Sequence, residues 1–297
     1  MVLLFFLIYQ IIARKKQHRS IGPIFKLLLL AGFLFHTLGL AIRWYVSGHA
    51  PMSNGYETMI FISWVTILAG FIFSRRSLFV LAATAVLGGF TLLVAHLSFM
   101  DPEITNLVPV LQSYWLTLHV SVITSSYGFL GLGAIIGIIV LILYALLSSF
   151  NKKEIIATIE DLTIINYKSL TIGLYLLTIG TFLGAIWANE SWGRYWGWDP
   201  KETWSLITII VYSFIIHSKN IVGLRGLFAF NTMALFGFSS VLMTYFGVNY
   251  YLSGLHSYAG GDSVTIPGFL YISLILLISL CIFAYWRYTK FLLNKKP

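Results

Sequence analysis

The sequence predicts an all-α, polytopic membrane helix bundle that forms one integral membrane domain over residues 1–297. Of the 297 residues, 58% are apolar and 10% are charged, whereas soluble domains carry roughly one quarter charged residues. With a mean hydropathy of +0.86, a chain of this size could not bury its apolar surface in one core, so lipid must be its solvent. The apolar runs are continuous and lack the alternation of a barrel strand, which favours helices.

Nine apolar segments account for the predicted bundle of about eight to nine transmembrane helices. A helix needs roughly 20 residues to cross the hydrocarbon layer, so segment 1–13 is marginal, and segments 59–73 and 204–218 must borrow flanking residues. Asp199 and Pro200 indicate a helix start, with Asp199 as the N-cap and Pro200 at the first helical position. In chain order the segments are 1–13, 24–46, 59–73, 78–100, 119–149, 169–187, 204–218, 227–250 and 268–286.

Basic residues fall on alternate links between these segments, which fixes the predicted orientation. If residues 14–19 (RKKQHR) are cytoplasmic, 16 of the 19 Lys and Arg residues lie on the cytoplasmic side. The other side then holds Arg43, Arg194 and Lys201, together with seven of the ten acidic residues. This bias follows the positive-inside rule. The net charge of +9 therefore reflects membrane orientation, and no nucleic-acid partner is expected.

Two further features narrow the class of protein. The first segment has no basic region before it and no small-residue cleavage site after it, so it is predicted to be an uncleaved helix with its N-terminus outside. Cys281 is the single cysteine of the sequence, which excludes an intramolecular disulfide, a CxxC redox pair and a thiolate zinc site.

A tryptophan-rich loop over residues 187–204 is the most distinctive part of the sequence. It holds five of the nine tryptophans, and Gly193 and Gly197 would let its backbone approach a flat ligand. Arg194 and Lys201 are interleaved with the rings, an arrangement that suits a large planar anion whose carboxylates meet cations. The alternative is an interfacial aromatic belt. The tryptophans are Trp187, Trp192, Trp196, Trp198 and Trp204.

Four segments of the sequence resemble one family of haem-handling membrane proteins. The run WGRYWGWDPKETWSL at 192–206 resembles the tryptophan-rich "WWD" signature found in cytochrome c maturation. RWYVSGHAPMSNGYET at 43–58, LTLHV at 116–120 and GLHSY at 254–258 are similar to segments of the CcsA/ResC branch, the integral membrane half of the system II cytochrome c synthase. The resemblance extends from about residue 30 to the C-terminus.

The resemblance implies a function on the outer face of a bacterial inner (cytoplasmic) membrane or a thylakoid-type membrane. The chain would bind haem b (iron protoporphyrin IX), move it outward and present it for covalent attachment to the CxxCH motif of apocytochrome c. It would act as the membrane subunit of the synthase, together with a CcsB/ResB-type companion protein. The alternatives are the haem-delivery protein of the system I pathway, a membrane transporter of another planar anion, and a b-type electron-transfer subunit.

The resemblance also implies which histidines bind iron. His119 and His256 match LTLHV and GLHSY and are implied to be the axial ligands of the outer haem, against the alternative of two interfacial histidines bonded to loop carbonyls. His217 is implied to be one ligand of an inner site whose second ligand lies on the companion, against the alternative of a snorkelling side chain. His36 could complete that inner site instead, although packing is favoured.

Weaker candidates surround these positions. His49 is either a loop-fixing residue or a neighbour of the site, and no ligand role is expected for His18 or His96. Arg43 and Arg194 could hold haem propionates through paired hydrogen bonds, although Arg43 could equally snorkel at its helix end. A helix-capping role for Asp199 does not exclude a second role in orienting haem. The candidate haem-binding residues are therefore His119, His256, His217, Trp192, Trp196, Trp198, Asp199, Arg194 and Arg43, and Asn54, Tyr56 and Glu57 are expected to brace the 43–58 loop.

Overall fold

The computed structural model describes residues 1–12, 21–75, 77–97, 100, 102–104, 112–255 and 266–293. This described part is helical and contains no strand, so the predicted all-α class is confirmed. Its α-helices are α1 Val2–Ile12, α2 Ile21–Ser47, α3 Gly55–Phe73, α4 Leu78–Ala95, α5 Tyr114–Ala145, α6 Lys152–Trp192, α7 Pro200–His217, α8 Leu227–Leu242, α9 Val248–Tyr251 and α10 Gly268–Tyr288.

Seven helical segments of the described chain are long and apolar enough to cross a membrane, and the protein is an integral membrane protein. α1 and α7 were also predicted as spans but are not among the seven. α1 has 11 residues, and the 18 residues of α7 include a polar first turn with Lys201 and Glu202. The seven segments are Gly22–Ser47, Gly55–Phe73, Leu78–Ala95, Tyr114–Ala145, Lys152–Trp192, Leu227–Tyr251 and Gly268–Leu292.

α6 is longer than the sequence predicted. Its 41 residues correspond to about 60 Å at 1.5 Å per residue, whereas the predicted segment covered only 169–187. The residues treated as a basic link continue the helix because Ile155, Ile159 and Leu162 recur at helical spacing and are fully buried. The interpretation of 152–168 as a link was therefore wrong.

The chain divides into two compact units, and α5 and α6 each contribute to both. The first unit contains α2, α3, α4, residues 114–132 of α5 and residues 169–198. Within it, α3 packs closely on α4, since a Cβ at Gly70 would meet the Thr84 side chain. Single-domain organisation over residues 1–297 stays a prediction.

The second unit contains α1, residues 133–168 and the chain from Asp199 onward. A buried polar cluster joins its helices. Asn231 on α8 donates from Nδ2 to the Thr163 hydroxyl (2.7 Å) and accepts from the Asn166 side chain at Oδ1 (2.9 Å). All three side chains are buried, and in lipid such interhelical hydrogen bonds replace contacts with water.

We expect the Asn231→Ala variant to unfold more readily, by up to about 2 kcal/mol. The substitution removes both interhelical hydrogen bonds and leaves two buried polar side chains without those partners. The free energy of unfolding is measured by titrating the purified chain with a denaturing detergent in mixed micelles. Ser239→Ala is the matched control, because the exposed Ser239 hydroxyl only donates to the Phe236 carbonyl of its own helix. Equal effects of the two substitutions would contradict the expectation.

Candidate functional site

The His119 ring lies in a close contact between α5 and α6. Its Nδ1 is 2.7 Å from the Gly180 carbonyl oxygen. A Cβ at Gly184 would come within 2.6 Å of the imidazole Cε1, so the absence of a side chain there makes room for the ring. The Trp187 ring is nearly parallel to it, at 7° with 6.3 Å between centroids.

This contact fixes the tautomer of His119. A carbonyl oxygen can only accept a hydrogen bond, so Nδ1 must carry the proton and donate it to Gly180. In a neutral imidazole the Nε2 nitrogen then carries the lone pair, which is the form a metal requires. Histidines that bind metals are usually oriented by such a hydrogen bond to a carbonyl. This orientation is compatible with a ligand role for His119, which stays a prediction.

The indole rings predicted to form a platform do not all lie in a loop: Trp187 and Trp192 belong to the last turns of α6 and Trp204 to α7, whereas Trp196 and Trp198 lie in the loop between these helices. Trp187 is fully buried and meets Trp192 edge to face at 4.7 Å. Trp196 and Trp198 are perpendicular to each other at 5.7 Å. Trp198 is 69% exposed and adopts a φ of +58°, a left-handed conformation that strains a residue with a side chain. Strain of this kind is typical of functional positions.

Arg194 is held inside the same loop. Its guanidinium carbon lies 6.0 Å from the centroid of the Trp192 ring, within the range of a cation–π interaction. A Cβ at Gly197 would overlap the Arg194 guanidinium, so glycine is needed where the cation crosses the backbone. Arg194 is therefore a positive charge beside an indole ring, and its role in holding a planar anion stays a prediction.

Asp199 caps α7, as the sequence predicted. Its Oδ1 accepts from the Lys201 backbone N–H at 3.0 Å, Glu202 completes the reciprocal capping box, and Pro200 starts the helix. The other oxygen, Oδ2, accepts from the Leu255 backbone N–H at 2.7 Å. This second bond could not be predicted from the sequence, because it joins residues far apart in the chain.

Lys201 is a cation in a desolvated position at the start of α7. Its Nζ donates to the Asn249 side-chain oxygen at 2.8 Å. Burial lowers the pKa of Lys201 to about 8, and the nearby Asp199 carboxylate opposes that shift. Lys201 is thus held by an amide oxygen, and a neutral amine could make the same hydrogen bond.

His217 lies at the last residue of α7 and is exposed. Its Nδ1 is 2.7 Å from the Ser213 carbonyl oxygen, so by the argument used for His119 its Nε2 carries the lone pair. An exposed imidazole at a helix end is compatible both with a ligand and with a snorkelling residue. The ligand role of His217 stays a prediction.

Arg43 is held by partners on its own unit. Its Nε donates to Glu57 at 2.7 Å, and its two terminal nitrogens donate to the carbonyls of Pro102 and Glu103 at 2.9 and 3.3 Å. Glu57 is 1% exposed and also accepts from the backbone and the hydroxyl of Ser53. A guanidinium has five N–H donors, so a propionate could use only those that these three bonds leave over.

The other histidines fall into two groups. His256 and His18 lie outside the described residues. His36 is half-buried within α2, the Nδ1 atom of His49 lies 3.1 Å from the Ala50 carbonyl oxygen, and His96 caps the end of α4 with its ring against Tyr56. Asn54 caps α3 by accepting from the Glu57 N–H. Among the described histidines, His119 and His217 thus share an Nδ1 atom 2.7 Å from a carbonyl oxygen, and His119 differs in that its ring also stacks on a tryptophan.

Comparison with known proteins finds relatives that match most of the chain. The family model described as cytochrome C assembly protein matches residues 52–256. Cytochrome c biogenesis proteins CcsA from Prochlorococcus marinus and Chlorella vulgaris are 34% and 39% identical over 273 and 262 residues, covering 80% and 75% of this chain and 88% and 81% of those proteins.

Protein NrfI from Wolinella succinogenes is 57% identical over 230 residues, which is 77% of this chain. The match covers 25% of NrfI, so the chain corresponds to about a quarter of that longer relative.

We expect Gly184→Ala to destabilise the protein by about 1–3 kcal/mol, because the added methyl group overpacks the His119 ring. The control is Gly89→Ala on α4, where nothing lies within 4 Å of the added Cβ. An alanine in an open helical position is expected to be neutral or stabilising by up to about 1 kcal/mol. Unfolding in mixed micelles measures both, and a Gly184 variant as stable as the control would refute the close contact.

We expect the contribution of Lys201 to stability to rise with pH. Between pH 8 and the ordinary Lys value of 10.5, the unfolded chain binds a proton that the folded chain has released, so raising the pH through this window favours folding. Below pH 8 both states are protonated and the contribution is constant. Thermal denaturation of the parent and of Lys201→Met from pH 7.5 to 10.5 measures the effect. The parent should gain stability relative to the variant as pH rises, and parallel profiles would contradict the burial of this amine.

Proposed function

Because the chain belongs to the cytochrome c assembly protein family, we propose that it binds haem b and presents it for covalent attachment to the CxxCH motif of apocytochrome c. In this proposal it is the membrane subunit of a system II cytochrome c synthase and works with a CcsB/ResB-type companion. The observation that carries the proposal is the hydrogen bond from His119 Nδ1 to the Gly180 carbonyl, which prepares Nε2 to bind iron.

His119 supplies one axial ligand of the proposed site. The Gly180 carbonyl fixes the ring orientation and the parallel Trp187 ring packs beside it. An imidazole locked in this way loses little side-chain freedom when it binds iron, so the entropic cost of ligation is already met by folding. His256 is proposed as the second ligand from its match to the family motif GLHSY, since that residue lies outside the described part.

The tryptophan loop supplies the surface on which the porphyrin lies. Trp192, Trp196 and the exposed Trp198 offer broad apolar rings, and Arg194 adds a cation for a propionate. Arg43 could also bind a propionate, but only through the N–H groups that do not already donate to Glu57 and to the carbonyls of Pro102 and Glu103. Asp199, which is 6% exposed, follows Trp198 directly and orients the end of the loop where α7 begins.

The orientation of the site follows from charge. The basic links predict a cytoplasmic side, and the tryptophan loop then faces the periplasm of a bacterial cell or a thylakoid-type lumen. His217 is 13 residues after Trp204, about 20 Å along α7, and is proposed as a ligand of the inner site from which haem is moved outward. Its second ligand is assigned to the companion protein.

The covalent step joins haem vinyl groups to the two thiols of the apocytochrome motif. The protein contributes position, axial ligation and exclusion of oxidants. Release requires that the histidine of the CxxCH motif displace one of the two axial imidazoles. A site held by two neutral histidines, without a thiolate, is suited to such exchange.

We expect His119→Ala and His256→Ala each to convert a six-coordinate, low-spin haem spectrum to a weakened or five-coordinate one. Each substitution removes one axial imidazole and leaves the loop intact. Absorption spectra of the purified, detergent-solubilised chain, recorded with and without the companion, measure the change. Added imidazole should restore the low-spin spectrum.

His96→Ala is the matched control, because His96 caps α4 and meets Tyr56. Its spectrum should equal that of the parent. Parent-like spectra for both the His119 and His256 variants would remove the proposed ligand pair.

A further inference from the structure

We propose that Asp199 is a positioning residue for His256, because one of its carboxylate oxygens caps α7 and the other holds the backbone immediately before that histidine. The proposal deepens the proposed function and rests on it for the ligand role of His256. It gives Asp199 a task other than direct contact with haem.

The two oxygens of Asp199 have separate partners. Oδ1 accepts from the Lys201 N–H at 3.0 Å and Oδ2 from the Leu255 N–H at 2.7 Å. Hydrogen bonds to a carboxylate are roughly twice as strong as neutral ones, and the side chain is 6% exposed, so water competes weakly. The Leu255 bond is therefore a firm connection between the start of α7 and the residue that precedes His256.

Gly254 makes this connection possible. A Cβ at Gly254 would meet Oδ2 of Asp199 and would lie 2.8 Å from the Pro200 ring carbon Cδ. Any side chain at position 254 would push the backbone away from the cap. Position 254 of the GLHSY segment is therefore a glycine because a side chain there would collide with the Asp199 carboxylate of the tryptophan-rich motif. Both residues belong to the second compact unit.

Further polar contacts fasten the preceding segment to the same helix. Residues 243–247 form a π-helical turn, a feature common at functional sites. As the residue number rises from 244 to 255, the number of the contacted residue at the start of α7 falls, so the two stretches are antiparallel. The contacts are Thr244 Oγ1 to the Trp204 carbonyl (3.2 Å) and to Thr208 Oγ1 (3.0 Å), Lys201 Nζ to Asn249 (2.8 Å) and Leu255 N–H to Asp199 (2.7 Å).

The Asp199 bond is the last of this series before His256. Only the soft dihedrals of Leu255 and of His256 itself separate the fixed amide from the imidazole. Axial ligation needs the nitrogen at about 2 Å from iron, and a functional group displaced by 1 Å loses most of its effect. Holding the amide of Leu255 therefore narrows the positions available to the ligand.

Asp199→Asn tests the proposal. Two amides of the first turn of α7 donate to the Asp199 side chain, and we expect the single oxygen of Asn to serve this cap. Asn is as good an N-cap as Asp. The amide nitrogen of Asn would then face the Leu255 N–H, and two donors cannot bond.

Gly254→Ala disrupts the same contact from the other side without replacing any residue of the cap. Its control is Gly268→Ala at the start of α10, where nothing lies within 4 Å of the added Cβ. Ser77→Ala controls for loss of a cap alone, because Ser77 caps α4 by accepting from Phe79 and belongs to the other unit.

The first readout needs no haem. Amide hydrogen exchange of the full, haem-free chain should show Leu255 protected in the parent. In both Asp199→Asn and Gly254→Ala, exchange at Leu255 should accelerate by about tenfold to 100-fold, as expected for loss of one hydrogen bond to a charged group. The two controls should leave it unchanged.

The second readout is the ferric haem spectrum of the full chain with its companion. Asp199→Asn and Gly254→Ala should lose part of the six-coordinate low-spin signal, and added imidazole should restore it, while Ser77→Ala and Gly268→Ala keep the parent spectrum. Unprotected Leu255 in the parent, unchanged exchange in both variants, or faster exchange with an unchanged spectrum would each overturn the positioning role.

Failure of the proposed function gives a different result. If the parent binds no haem, or if His256→Ala keeps the parent spectrum, the ligand assignment fails whatever Asp199 does. If His256→Ala abolishes the low-spin signal while Asp199→Asn and Gly254→Ala keep it, only the positioning role fails.

Discussion

The close antiparallel contact between α5 and α6 is the constraint on which the candidate site depends. Gly180 and Gly184 lie one turn apart on α6, and a Cβ at either position would press on Ile123 or His119 of α5. Small residues of this kind let membrane helices approach until backbone and side chains meet directly. The Gly180 carbonyl can reach the His119 ring only at this separation, so helix packing and ligand orientation are one structural feature.

The helices could be predicted from the sequence to different degrees. Continuous apolar runs predicted where helices occur, because lipid requires a chain to satisfy its own backbone hydrogen bonds. The start of α6 at Lys152 was missed, since a stretch with interleaved charges looks polar on average even when Ile155 and Ile159 form a buried stripe. Local signals were more reliable, and the Asp199–Pro200 start of α7 was confirmed by its capping box.

The candidate site could be predicted only in part. Residue types and the family resemblance pointed to His119 and the tryptophan loop, and the structure adds the carbonyl that sets the histidine tautomer. The partners of Arg43 and the bond between Asp199 and Leu255 could not be predicted, because each joins residues distant in the chain whose meeting depends on tertiary packing. The position of His256 lies outside the described residues, and its ligand role still rests on the resemblance.

At Trp198 the left-handed backbone lowers the stability of the protein, whereas we propose that the indole side chain is needed for function. Holding a residue with a Cβ at a φ of +58° costs about 1–2 kcal/mol, and glycine would relieve this cost. A laboratory selection for heat-resistant variants would therefore favour glycine at 198 and remove the indole that we propose lies against haem. Tryptophan would be retained only if the selection also required the cells to produce mature cytochrome c.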